Sequence, residues 1–430
     1  MYASKPIPEE FIYYIWENQL FDGLNLKSMT NEPVEVISTG CRNTDSGPDF
    51  FNAKVNISGT LWAGNIEVHK KASDWDKHNH TADKAYENVI LHVVEHADKQ
   101  IFRANGTAIP TIELKWPDYL SQNYRKLMIS KAWIACQEQF FRLDPVILRL
   151  AFNRLMIDRL EEKTKDIDRI LKQNCCNWSE TFYQMLTRMF GFKVNASPFG
   201  LLAKIVPMHL LAKHKNSLFQ METLLYGASG LLGEELLGDD YFMLMQKEFR
   251  FLQKKYKLKT IEPHLWKFMR LRPVNFPTIR ISQLATLIYR SEGLFSKMME
   301  ARNIQMLQDL FRVKASAYWD SHFRFNRKTK SVFPRELGES SANMLIINVV
   351  VPFLFVYGEK QNLDDLKDRA LDFLEKIPPE DNTVIRKWKQ LGVDARNAFE
   401  SQALLQLKSR FCVAKKCLHC PIGNSLVRAG

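Results

Sequence analysis

The chain has 430 residues, 46% of them hydrophobic and 25% charged, and a formal net charge of +12. Those proportions are typical of a globular protein with a packed core and exclude a disordered or fibrous chain. Seven cysteines are too few for a disulfide scaffold, and this length implies two or three domains.

The charge is uneven. Residues 1–115 carry 11 Lys+Arg against 16 Asp+Glu, a net of −5, which leaves +17 on the remainder. The plainer reading is ordinary surface charge; the functional one is an acidic, metal-binding head beside a basic body that holds a polyanion. The longest apolar stretch, MLIINVVVPFLFVYG (344–358), contains Pro352 and is shorter than the ~20 residues a membrane span needs. The N-terminus, MYASKPIPEEF, lacks the basic-then-apolar pattern of a signal peptide. A cytoplasmic protein without membrane association is expected.

In chain order, PEEFIYYIWENQLF (8–21) reads as a helix, with Glu9 and Glu10 in its first turn and Phe11, Ile12, Ile15 and Leu20 at helical spacing. VEVIS (34–38) reads as a strand, and a Gly/Asn/Asp/Ser/Pro-rich turn follows at 40–48. DFFNAKVNIS (49–58) and LWAGNIEVH (61–69) form a hairpin about a Ser58-Gly59 turn. Residues 73–87 read as loop and helix capped by Ser73. NVILHVVEH (88–96) is β-branched and apolar throughout, the pattern of a buried central strand, and IPTIELKW (109–116) is one more strand. From about 117 onward the period is helical, as in 146–173 and 362–377, with breaks such as RPVNFP (272–277). The expected class is α+β: an α-β-β-β-α-β domain over 1–116, helical domains over 117–400, and a cysteine-bearing segment over 401–430.

Two short motifs lie 18 residues apart: Pro48-Asp49 in GPDF and Glu67-Val68-His69 in GNIEVH. Paired carboxylates suit Mg²⁺ or Mn²⁺, hard cations that take oxygen ligands. Such an ion stabilises phosphate charge and lowers the pKa of a bound water. A histidine beside it can act as general base near neutral pH. Strand alternation puts Glu67 and His69 on one face. A regular hairpin pairs Asp49 near Val68 and points it to the other face unless the chain kinks after Pro48. SDWDKHNHTAD (73–83) adds His78 and His80 as further metal or phosphate contacts, or is a capped polar loop. Five of the ten histidines fall between His69 and His96. His92, inside the apolar strand, reads as a core histidine. Glu17 on the first helix is a further acid, or part of a solvated face.

RFCVAKKCLHCPIGNSL (410–426) spaces Cys412, Cys417 and Cys420 as C-x4-C-x2-C. Three thiols so close point to zinc or a [4Fe–4S] cluster. The fourth ligand is expected to be Cys136, with Cys175-Cys176 as the alternative. YWDSHFRFNRKTK (318–330) mixes aromatics and cations as a single-strand nucleic-acid surface would; an element with its aromatics turned inward has the same pattern.

The order α-β-β-β-α-β with Pro48-Asp49 and Glu67-x-His69 resembles the PD-(D/E)XK restriction-endonuclease-like superfamily, in which lysine usually stands where His69 is. The resemblance implies a metal-dependent nuclease with Asp49 and Glu67 on Mg²⁺ and His69 in the water-activating position. It also implies acid from the first helix. Some RecB-type nucleases bind an iron–sulfur cluster through one upstream cysteine and a C-terminal trio, a pattern to which Cys136, Cys412, Cys417 and Cys420 are similar. Over nearly its full length the chain also resembles a bacterial domain-of-unknown-function family, through GCRNTDSGPDFFNAKV, GNIEVH, SDWDKHNH, YENVILHVVEHAD, RPVNFPTIR and CLHCPIGNSL. The leading expectation is therefore a nuclease acting on DNA or RNA. The alternatives are an inactive nuclease-fold module that binds nucleic acid or serves as a scaffold, and a helical interaction protein.

Overall fold

The computed structural model describes residues 6–140, 143–233 and 238–430. The first five residues of the N-terminal stretch read for a signal peptide lie outside them. The class is α+β, as expected. The chain forms two compact units: Met1–Ala151 together with Leu407–Gly430, and Phe152–Gln406. Residues 407–430 of the C-terminal cysteine segment are thus part of the first unit, as are residues 117–151, which the sequence pattern assigns to the helical region.

The first unit opens with helix α1 (Glu9–Glu17), which buries Phe11, Ile12, Tyr14, Ile15 and Trp16. Strands β1 (Val34–Ser38), β2 (Cys41–Arg42), β3 (Phe50–Ile57), β4 (Thr60–Lys71), β5 (Val89–His96), β6 (Ile101–Phe102), β7 (Ala108–Ile109) and β8 (Thr111–Glu113) follow. The main sheet has the order β1-β3-β4-β5-β8, with β2 on β3 and β6-β7 as a separate pair. β1, β3 and β4 are antiparallel, whereas β4-β5 and β5-β8 are parallel. The β4–β5 crossover runs through the one-turn helix α2 (Asp74–Lys77) and two 3₁₀ turns. The first six residues of β5 are buried, as an apolar central strand under two covered faces requires.

Two local features of the β3–β4 hairpin position the site. Ser58 and Gly59 both have positive φ, 51° and 86°, the tight turn whose twist matches that of the strands. From it the pairs run Ile57↔Thr60 to Ala53↔Gly64, and then shift to Phe50↔Ile66. Between the last two, β3 has two residues and β4 has one. This is a β-bulge, with Asn52 in the left-handed region at φ 58°. A regular ladder would set Asp49 opposite Val68. The bulge shifts it by one, so the register continued past Phe50 sets Asp49 opposite Glu67.

Helix α3 (Asp118–Ile129) and the last helix, Pro421–Arg428, complete the unit. Asn123 Nδ2 donates to the carbonyls of Val427 and Ala429 at 3.3 and 2.8 Å, and Arg428 Nε donates to the Tyr14 hydroxyl at 3.0 Å.

The second unit is helical around a large apolar core. The helical run Glu339–Gln361 is, by length and apolarity, long enough to cross a membrane, contrary to the sequence expectation; 72% of its apolar window is buried inside the protein. Pro352 has no N–H to give to a residue one turn back, and the turn before it widens to π over Ile346–Val350. Of the two readings of the aromatic-basic stretch 318–330, the rings follow the inward one: Tyr318, Phe323 and Phe325 are partly buried against the core. Trp319 is fully buried, Tyr318 stacks on His322 and Tyr241 with centroids 4.0 and 4.4 Å away, and Arg324 lies over Phe268 at 4.4 Å.

Candidate active site

The site is built on β4 and the chain around it. Asp49 N–H donates to Glu67 Oε2 at 3.2 Å, and Val68 N–H donates to Asp49 Oδ2 at 3.0 Å. The bulge, rather than a kink at Pro48, brings the two carboxylates together. The Tyr13 hydroxyl is hydrogen-bonded to Asp49 as well. Burial, and next the charge of Glu67, push Asp49 up to about 7, although the Val68 N–H and Tyr13 favour its charged form. Burial raises Glu67 to about 8, with Glu9 adding to it and the Asp49 N–H opposing. Without a cation this pair keeps protons at pH values where free carboxyls have lost them, because two like charges in a buried place repel and lack water.

Helix α1 faces this pair through Glu9 and Tyr13, one turn apart. Glu17, the acid expected from this helix, is exposed and sits about 12 Å further along the axis at 1.5 Å per residue. Among the described residues, Glu9 and not Glu17 acts on the charges of Asp49 and Glu67. The signal that could have found Glu9 is its i, i+4 spacing to a tyrosine, but first-turn acids are common for capping reasons alone.

On the other side of Glu67 the histidines gather. His69 is buried on β4; its Nδ1 lies 2.9 Å from His92 Nε2 and its Nε2 lies 3.0 Å from His78 Nδ1. Glu67 Oε1 is 3.5 Å from His69 Nε2 and 3.3 Å from His80 Nε2. Burial, and then the neighbouring His92, His80 and His78, push His69 down to about 2. It is neutral at any ordinary pH, so its approach to Glu67 is no ion pair. His92 is the core histidine expected, fully buried on β5 and lowered to about 3 mainly by burial. Its bond to His69 was not legible in the sequence. His80 stacks on Tyr86, centroids 3.9 Å apart, and meets Trp75 edge-on at 5.3 Å. Trp75 itself is held by Nε1–H donation to Thr81 Oγ1 at 2.9 Å.

The cysteines form a second constellation in the same unit. Each of Cys136, Cys412, Cys417 and Cys420 lies within electrostatic reach of the other three. Burial raises all four thiols, Cys136 to about 12 and Cys417 to about 11. The backbone N–H groups of Ile422 and Gly423, at the start of the last helix, hydrogen-bond to Cys420 and favour its thiolate. Gly423 is required there, since a Cβ would lie 2.2 Å from the carbonyl oxygen of Cys417. Cys175 and Cys176, the alternative fourth ligands, are exposed in a turn of the second unit.

The family model described as "Protein of unknown function (DUF2851)" matches residues 9–383. The chain belongs to this family. The match takes in Asp49, Glu67, the histidines and Cys136; the C-terminal cysteine trio lies beyond it. No curated protein and no solved structure matches the chain.

Proposed function

We propose that the protein is a metal-dependent phosphodiesterase of the PD-(D/E)XK type, cleaving DNA or RNA. The observation that carries this reading is the bulged register that sets Asp49 opposite Glu67, with the two carboxyls coupled, Glu67 buried and Asp49 half-buried. They offer the oxygen set that suits Mg²⁺ or Mn²⁺. Such an ion, when bound, stabilises charge on the phosphate and lowers the pKa of a bound water. Asp49 and Glu67 give up their protons on binding it. Tyr13 orients Asp49, and Glu9 adds negative potential at the mouth. His69, neutral where lysine is usual, offers a lone pair rather than a charge.

The four cysteines support a structural metal group. Among the described residues, only the three histidines place three ligand atoms within 4.8 Å of one another, so the thiols are spaced more widely. A single zinc with 2.3 Å bonds draws four thiolates to about 3.8 Å apart. A four-iron cluster holds them further apart, and [4Fe–4S] is the group we propose for them. Anaerobically purified protein is then brown and holds iron and sulfide, and Cys136→Ser and Cys420→Ser lose both.

The deciding experiment is Mg²⁺- and Mn²⁺-dependent cleavage of single- and double-stranded DNA and RNA by wild type, Asp49→Asn and Glu67→Ala. The wild type should cleave and both variants should not. Equal activity in all three overturns the reading. Binding without cleavage by the wild type favours the inactive nucleic-acid-binding module, which His69 in the lysine position would explain.

A further inference from the structure

We propose that His69, His78, His80 and Glu67 form a four-ligand site for a first-row transition metal, with zinc the best match. The site holds whether or not the protein cleaves phosphodiesters, and it changes the part of His69 from base to ligand.

The distances carry the inference. The ligand nitrogens of His69, His78 and His80 lie within 4.8 Å of one another. His69 Nε2 is 3.0 Å from His78 Nδ1 and 3.5 Å from Glu67 Oε1, and His80 Nε2 is 3.3 Å from that same oxygen. Bonds of 2.0–2.1 Å to a tetrahedral ion separate its ligands by about 3.3–3.4 Å. The three nitrogens are close enough for one ion to draw together, and Glu67 Oε1 adjoins them on the side of His69 and His80.

An independent observation concerns His80. Its Nε2 is buried and has no hydrogen-bond partner, a costly state for a polar atom. It lies 3.3 Å from Glu67 Oε1 within the cluster, and a metal ion would satisfy it.

The ligands are also held in place. β4 projects Glu67 and His69 from one face. The segment after α2 supplies the other two, and Asn79 between them takes the left-handed conformation at φ 58°, which lets the chain turn back. Trp75, 1% exposed, and Tyr86 wall in the His80 ring. The second nitrogen of His69 meets His92, the kind of outer partner that fixes a ligating imidazole's tautomer and direction. His78 alone is exposed, which gives the ion a way in.

The donor set decides the class of ion. Three imidazoles and one carboxylate suit zinc and its neighbours and not Mg²⁺, which takes oxygens. Glu67 joins the two halves: Oε2 accepts from Asp49 while Oε1 faces the histidines.

The test uses the full chain, stripped with chelator and titrated with Co²⁺, whose visible d–d absorption reports tetrahedral binding. Wild type should take up cobalt with that absorption. Cys412→Ser and Asp49→Asn should retain it. His80→Gln should lose it, and His78→Ala, a change at an exposed position, should weaken binding by about tenfold or more. If neither histidine substitution alters cobalt uptake, or if wild type shows no tetrahedral band, the inference is wrong. Cleavage assays on the same variants report separately on the phosphodiesterase reading, since Asp49→Asn should abolish cleavage and leave cobalt binding intact.

Discussion

Replacing Glu67 by glutamine should make the metal-free protein more stable while removing its activity. In the fold, burial raises the Glu67 carboxyl from 4.5 to about 8. Between those values the folded state keeps a proton that the unfolded state releases, so stability falls as pH rises through that window. At 1.36 kcal/mol per pKa unit, the penalty at pH 7 reaches about 3 kcal/mol as an upper bound. Relaxation and the shared titration with Asp49 reduce it to about 1–3 kcal/mol. Glutamine has nearly the same shape and cannot ionise. Its carbonyl can still accept the Asp49 N–H, and its NH₂ can face His69 and His80. Calorimetry in chelator, from pH 5 to 8, measures the outcome. At pH 7 the Glu67→Gln transition should lie above wild type by a few degrees, at about 2–4 °C per kcal/mol. The gap should shrink toward pH 5. A variant less stable than wild type throughout, or one with the same pH slope, would refute the assignment of the penalty to this carboxyl. Added Mn²⁺ should raise the wild-type transition and leave the variant unmoved.

The bulge makes a second prediction. Asn52→Val places a β-branched residue at positive φ, at a cost of about 1–2 kcal/mol, and strains the register that aligns Asp49 with Glu67. Cleavage should drop by about 100-fold, while Asn52→Gly retains it; equal rates in the two variants would disconnect the bulge from the site. Metal affinity at the carboxylate pair should rise between pH 5 and 8 as the raised carboxyls ionise, and isothermal titration of Mn²⁺ in buffers of different ionisation enthalpy should register proton release. Gly423→Ala forces the Cys417 backbone away from the last helix. It should lower the iron content of anaerobically purified protein well below that of wild type, whereas Gly338→Ala, where a Cβ meets open space at a negative φ, should not.

Much of this could be read along the chain. The α-β-β-β-α-β order, the tight Ser58-Gly59 turn and the buried central strand follow from local periodicity and turn chemistry, which neighbouring residues decide among themselves. So did the spacing of Cys412, Cys417 and Cys420, and the pairing of Glu67 with His69 on one strand face. Other features required the folded chain. Asn52 tolerates a left-handed conformation but does not demand it, so only the sheet as a whole decides that β3 takes an extra residue and that Asp49 turns toward Glu67. Glu9 rather than Glu17 faces the carboxylates because the axis of α1 is set by what it buries against the sheet. His92 meets His69 through a parallel strand pairing across a long crossover, a contact that costs loop-closure entropy and leaves no local trace. The C-terminal segment joins the first unit after more than 250 intervening residues. That return brings Cys412, Cys417 and Cys420 into the neighbourhood of Cys136, and only tertiary packing could decide it.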